Sequence, residues 1–131
     1  GLQRFKTVEP LDAIQLMNHR DAVVLDTREP KELDEGSIIN SVHIPLGQLS
    51  SSLGKLEAYK SRPVIASCRS GSRSGVACST LVKNGFEEVY NLRGGILAWK
   101  NANLPLEKGK KGKAKDKDKG KDKDKGREKG K

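Results

Sequence analysis

Two short, uninterrupted apolar runs constrain this chain more than any other feature. They are Ala22-Val23-Val24-Leu25, closed by Asp26, and Val64-Ile65-Ala66, which Pro63 opens and Ser67-Cys68 ends. A strand with one wet face alternates polar and apolar residues, whereas a run without a polar position suits a strand covered on both faces. The segments around these runs are spaced for helices. Val8-Glu9-Pro10-Leu11, followed by Ile14, Leu16 and Met17, opens a helix with proline at its first position. Residues 30–35 suit a short helix stopped by Gly36, and residues 41–45 a brief strand ended by Pro45. Residues 46–60 carry Leu46, Leu49, Leu53, Leu56 and Tyr59 at three-to-four spacing and read as a helix interrupted near Gly54. Val76, Ala77, Leu81 and Val82 predict a helix closed by Asn84-Gly85. Residues 88–92 then form a further strand, and Gly94-Gly95 opens a last helix from Ile96 to Lys100. Strands alternating with such helices require right-handed crossovers, hence an α/β fold whose parallel sheet has helices on both faces.

A chain of 131 residues holds one such domain and a tail. The charge divides them. Residues 107–131 carry 13 Lys or Arg and 6 Asp or Glu, a net of +7 out of +9 for the whole chain. Ala114 is their only apolar residue, so this segment cannot bury enough surface to offset its ordering entropy and is expected to be disordered. Residues 1–106 form the expected domain and are nearly neutral, so the basic balance describes the tail. Two cysteines are too few for a disulfide framework, which points to a reducing, cytoplasmic setting. There is no run of about 18 apolar residues and no leader pattern. The chain begins at Gly1 rather than Met, which leaves room for a preceding segment, a membrane tether included.

The chemistry concentrates in Ser67-Cys68-Arg69-Ser70-Gly71-Ser72-Arg73-Ser74-Gly75, between a buried strand and a helix. Small residues and glycines let the backbone curl until several N–H groups point at one spot. Beside a helix N-terminus, such a nest stabilises negative charge. A cysteine at its centre is expected to ionise near neutral pH and to act as a nucleophile. Arg69 and Arg73 bring positive charge for an anionic substrate, and open parallel sheets place their sites at strand carboxyl ends, where Cys68 falls.

The same residues resemble a single-domain rhodanese across roughly residues 7–106. The resemblance rests on Val24-Leu25-Asp26-Thr27-Arg28 with Glu32, on His43-Ile44-Pro45 and on the loop from Cys68 to Arg73. It continues through Gly85-Phe86, Val89-Tyr90-Asn91-Leu92 and Gly94-Gly95-Ile96-Leu97-Ala98-Trp99. It departs at Gly36-Ser37-Ile38-Ile39-Asn40-Ser41, where the family often has Gly-His-Ile-Pro-Gly-Ala. The resemblance implies a sulfurtransferase that carries sulfane sulfur as a persulfide on Cys68. It would take sulfur from a small anionic donor such as thiosulfate, or from a persulfide, and pass it to cyanide, a thiol or a protein cysteine. Arg69, Ser70, Gly71, Ser72, Arg73 and Ser74 are then the expected substrate-binding residues. No cofactor or metal is implied.

Two rival functions weaken on the residues themselves. Cysteine phosphatases and arsenate reductases use a similar cradle, but phosphatase loops place Arg six residues after Cys, usually with His before it. Here position 74 is Ser, Arg73 comes one residue early, and Ser67 precedes Cys68. A non-catalytic docking module has no need of Cys68 and both arginines. The tail lacks aromatic residues for base stacking, so weak, salt-sensitive contact with polyanions is expected, without specific nucleic-acid recognition. Cys78, Phe86 and Trp99 are expected in the core, Asp26 and Arg28 as a structural ion pair or backbone cap at a strand end, and His19 and His43 in structural roles.

Overall fold

The computed structural model describes residues 4–109. Their sheet has five strands, β1 (Lys6–Val8), β2 (Val23–Asp26), β3 (Val42–His43), β4 (Pro63–Ser67) and β5 (Glu88–Leu92). Every pair in it is parallel, in the order β1-β5-β4-β2-β3. Three α-helices accompany it, α1 (Pro10–His19), α2 (Ser72–Lys83) and α3 (Gly95–Asn101). This is the α/β architecture expected, with packed layers on both faces of the sheet.

Alternation along the strands sorts the core into two halves. Val23, Leu25, Val64, Ala66 and Val89 face Ala77, Cys78 and Leu81 of α2, together with Leu49, Leu56 and Phe86. Val24, Ile65 and Leu92 face Ala13 of α1 and Ile96 and Trp99 of α3. Ile65 and Val64, adjacent in β4, are both fully buried on opposite faces, which is why that run contains no polar residue. Each such side chain contributes about 1.5–3 kcal/mol relative to an exposed one.

Two local features differ from the sequence reading. The strand β1 was not foreseen: it is three residues long, only Val8 in it is buried, and Lys6 and Thr7 are exposed, so it carries no apolar pattern. It pairs along β5, with Val8 opposite Leu92. Residues 46–60 are not one helix broken at Gly54. They form two 3₁₀ segments, Leu46–Gln48 and Leu53–Tyr59. The leucine spacing is mostly three, which suits a 3₁₀ turn, and the break falls in the serine run, where Ser51 Oγ donates to the Gln48 carbonyl at 3.1 Å. Pro30–Glu35 is the short helix expected there, of the 3₁₀ type and stopped at Gly36, with Glu29 and Glu32 forming a reciprocal cap at its start.

At the far end, the Glu107 backbone exchanges two hydrogen bonds with Ser37, each 2.8 Å. Paired backbone therefore reaches one residue past the expected domain end at 106. The rest of the expected disordered tail, from residue 110 on, lies outside the described residues. Among those described, no helix is long and apolar enough to cross a membrane.

Candidate active site

Cys68 directly follows β4, which lies between β5 and β2, so its sulfur sits at the carboxyl end of the middle of the sheet. The chain then turns sharply through Gly71, at φ +110°, and enters α2 at Ser72. Curling between strand and helix brings donors onto one atom. The Gly71 amide lies 3.1 Å from Cys68 Sγ, the Ser74 amide 3.3 Å and the Ser74 hydroxyl 3.3 Å. A thiolate accepts such bonds far better than a thiol does, so the cradle favours ionisation. Burial is the largest single influence on Cys68 and pushes its thiol up. The Ser74 hydroxyl and the amides of Ser74, Gly71 and Ser70 together outweigh burial and hold the thiol below its ordinary value.

The loop is braced from beneath by α3. The Ile96 amide donates to the Cys68 carbonyl at 2.9 Å and the Leu97 amide to the Arg69 carbonyl at 3.1 Å. That approach needs Gly95, at φ +57°, because a Cβ there would stand 2.4 Å from the Cys68 carbonyl oxygen. On the other side, Asn91 of β5 donates from Nδ2 to the Gly71 carbonyl at 3.0 Å and accepts the Ser74 hydroxyl at Oδ1. Sequence reasoning passed over Asn91 and took Gly94-Gly95 only as a turn into the last helix. The signal available was their position at the carboxyl end of the strand that neighbours the cysteine strand.

Both arginines pair with carboxylates. Arg73 makes a two-pronged pair with Glu32, at 2.7 and 2.8 Å. That pair outweighs burial, which pushes the other way on both groups, and holds the Glu32 carboxyl down to about 2 and the Arg73 guanidinium above its usual value. Arg69 meets Glu35 at 3.2 Å; both are about half exposed, so the contact is worth little. Of the other loop residues, Ser70 and Ser72 are exposed, Gly71 is half-buried and Ser74 is buried. The hydrogen bonds to Sγ therefore come from amides and a hydroxyl, while Arg73 acts on it only through its charge.

Arg28 is 1 % exposed and bonds Asp26 Oδ2 through Nη2 at 2.7 Å. It also donates to the carbonyls of Glu32 and Gly36, at 3.1 and 2.8 Å. Asp26 and Arg28 thus tie β2 to the 3₁₀ turn that carries Glu32, the structural pair expected. His43 Nε2 lies 2.7 Å from the Arg28 carbonyl, while His19 is exposed on α1. Trp99 and Phe86 are core residues, and Trp99 Nε1 donates to the Pro105 carbonyl at 2.9 Å. Cys78 is fully buried on α2, and burial, with a smaller push from Cys68, raises its thiol to about 12. Both cysteines are free, and their environments drive them in opposite directions.

The profile of the rhodanese-like domain family matches residues 9–102. A sulfurtransferase of Allochromatium vinosum is 36% identical over 92 residues, covering 70% of this chain and 84% of that protein. The thiosulfate sulfurtransferase GlpE of Coxiella burnetii is 35% identical over 96 residues, 73% of this chain and 88% of its own length. Among solved structures, a rhodanese-related protein of Thermoplasma volcanium superposes with a TM-score of 0.70 at 31% identity, over 78% of this chain and 97% of that one.

Proposed function

Because the chain belongs to the rhodanese-like family, we propose that it is a sulfurtransferase whose Cys68 takes sulfane sulfur from thiosulfate or a persulfide and passes it to a thiophilic acceptor. The observation that supports this best is the convergence of two amides and a hydroxyl on Cys68 Sγ. The thiolate attacks the outer sulfur of thiosulfate. A new S–S bond forms on Sγ, the donor's S–S bond breaks, and its electron pair leaves with sulfite. The persulfide then carries the negative charge on its terminal sulfur. An acceptor such as cyanide or a thiolate attacks that sulfur, and the electron pair of the Sγ–S bond returns to Sγ. The cradle serves both steps, since Sγ is the nucleophile in one and the leaving group in the other.

Burial of Cys68 also suits carriage. The added sulfur stands about 2.05 Å beyond Sγ, moving the reactive atom outward while Sγ itself stays in place. In this reading the loop binds the donor. The amides of Ser70, Gly71 and Ser74 hold its sulfur, with Ser72 at the rim. Arg69 and Arg73 reach its anionic end through guanidinium N–H groups beyond those given to Glu35 and Glu32. A pure docking role leaves the convergence on Sγ without a purpose. We assign the chemistry to residues 1–106 and a reducing, cytoplasmic setting, with the acceptor a thiol or protein cysteine. The tail is left only weak polyanion contact.

The reading predicts double-displacement kinetics. With thiosulfate and cyanide both varied, double-reciprocal plots should be parallel, because sulfite leaves before cyanide reacts. Intersecting lines, the mark of direct transfer in a ternary complex, would rule out the persulfide.

A further inference from the structure

The Ser74 hydroxyl has one proton and more than one claimant. Its Oγ lies 3.3 Å from Cys68 Sγ, 3.2 Å from the Gly71 carbonyl and 2.5 Å from Asn91 Oδ1. The orientation of the Asn91 amide is fixed, because its other end faces the Gly71 carbonyl, which can only accept. That carbonyl already receives Asn91 Nδ2 at 3.0 Å and the Gly75 amide at 3.2 Å, so both its lone pairs have donors. The proton of Ser74 is left to two acceptors, Asn91 Oδ1 and Cys68 Sγ.

We propose that Asn91 is a positioning residue for sulfur transfer, holding the Ser74 proton while Sγ is uncharged and yielding it when Sγ becomes a thiolate. This rests on the reading of Cys68 as the sulfur carrier. With a free thiol, Cys68 S–H donates to Ser74 Oγ and Ser74 O–H donates to Asn91. When the thiolate forms, the hydroxyl turns to Sγ and leaves Asn91 Oδ1. In the persulfide, Sγ is a neutral bridging sulfur, and the hydroxyl returns to Asn91. Every state thereby keeps the buried hydroxyl bonded, and no state needs the loop backbone to move. The arrangement carries a cost, since Asn91 competes with the thiolate for the proton and opposes ionisation. A simple anchor has the opposite sign: losing the bond to Gly71 loosens the amides and disfavours the thiolate.

The test follows from that difference in sign. The pH dependence of iodoacetamide labelling, read at Cys68 by peptide mapping, gives the midpoint of its ionisation whether or not the protein transfers sulfur. A failure of the functional reading is therefore distinct from a failure here. Arg73 and Cys78 of α2 feel the charge on Cys68, Glu32 stands behind Arg73, and Asp26 pairs with Arg28 on the β2 side. All are unchanged in the variants. Asn91→Ala should lower the midpoint by about half to one pH unit, the size of one hydrogen bond. Asn91→Asp, nearly the same shape but a stronger acceptor with its own charge, should raise it. In a Ser74→Ala background, Asn91→Ala should produce no shift, since its path through the hydroxyl is gone. A midpoint that rises or stays in Asn91→Ala, or that does not rise in Asn91→Asp, overturns the proposal. So does a shift that survives in the Ser74→Ala background.

Discussion

Replacing Cys68 with serine is expected to reduce sulfur transfer to the uncatalysed background while leaving the fold in place. Cys68 is buried and its neighbours aim donors at it, so a hydroxyl there still finds hydrogen-bond partners. The stability change should stay within roughly 1 kcal/mol, as expected where no cavity opens and no polar group is orphaned. Chemistry is another matter. A serine hydroxyl does not ionise near neutral pH, and its oxygen cannot take part in the exchange between sulfur atoms on which carriage depends. Cys78 offers no substitute, because burial keeps its thiol protonated up to about 12. Residual turnover in Cys68→Ser near the wild-type rate, at an unchanged melting temperature, would place the chemistry elsewhere.

The second large effect is expected at Gly95. A Cβ there would stand 2.4 Å from the Cys68 carbonyl oxygen and 2.6 Å from that of Arg69, both backbone atoms that a rotamer change cannot move aside. The residue also sits at φ +57°, a left-handed conformation that costs an alanine about 1–2 kcal/mol before any clash. Gly95→Ala should lose more than about 3 kcal/mol, the range of backbone strain combined with overpacking. For a domain of about 100 residues that corresponds to a drop on the order of 15 °C in Tm. The loop should suffer beyond the loss of stability, because the amides of Ile96 and Leu97 hold the carbonyls of Cys68 and Arg69. Well below the new melting point, transfer should still fall sharply and Cys68 should label at a higher pH than in the wild type. An unchanged Tm would mean that α3 does not press on the loop as described.

The strands buried on both faces were the part of this molecule that sequence could reveal. The runs ending at Asp26 and Ser67 had no polar residue because each lies between two packed layers, and their alternation sorted into the two halves of the core. Edges were harder. β1 is held by backbone pairing to β5, and backbone pairing leaves no trace in side-chain type. The serine run at 50–52 broke a helix that leucine spacing alone predicted, because three-residue spacing fits a 3₁₀ turn as well as an α-helix. In the candidate site, the cysteine and its amide-rich loop were legible from glycine and serine content next to a buried strand. The destinations of the arginines were not. Positive side chains beside a proposed anion site gave no hint of their carboxylate partners: Glu32 and Glu35 arrive from a segment some forty residues earlier in the chain and meet Arg73 and Arg69. Asn91 was invisible for a similar reason: its meaning depends on β5 lying beside β4, a fact of sheet order.

If Cys68 carries sulfur as proposed, it does so as a covalent persulfide. Intact-mass analysis after incubation with thiosulfate tests it most directly, with peptide mapping to locate the change and cyanide added afterwards. The expected result is a gain of one sulfur atom on the peptide containing Cys68, none on the peptide containing Cys78, and its complete removal by cyanide. A protein that turns over thiosulfate and cyanide with no such adduct, or an adduct on Cys78 instead, would contradict it.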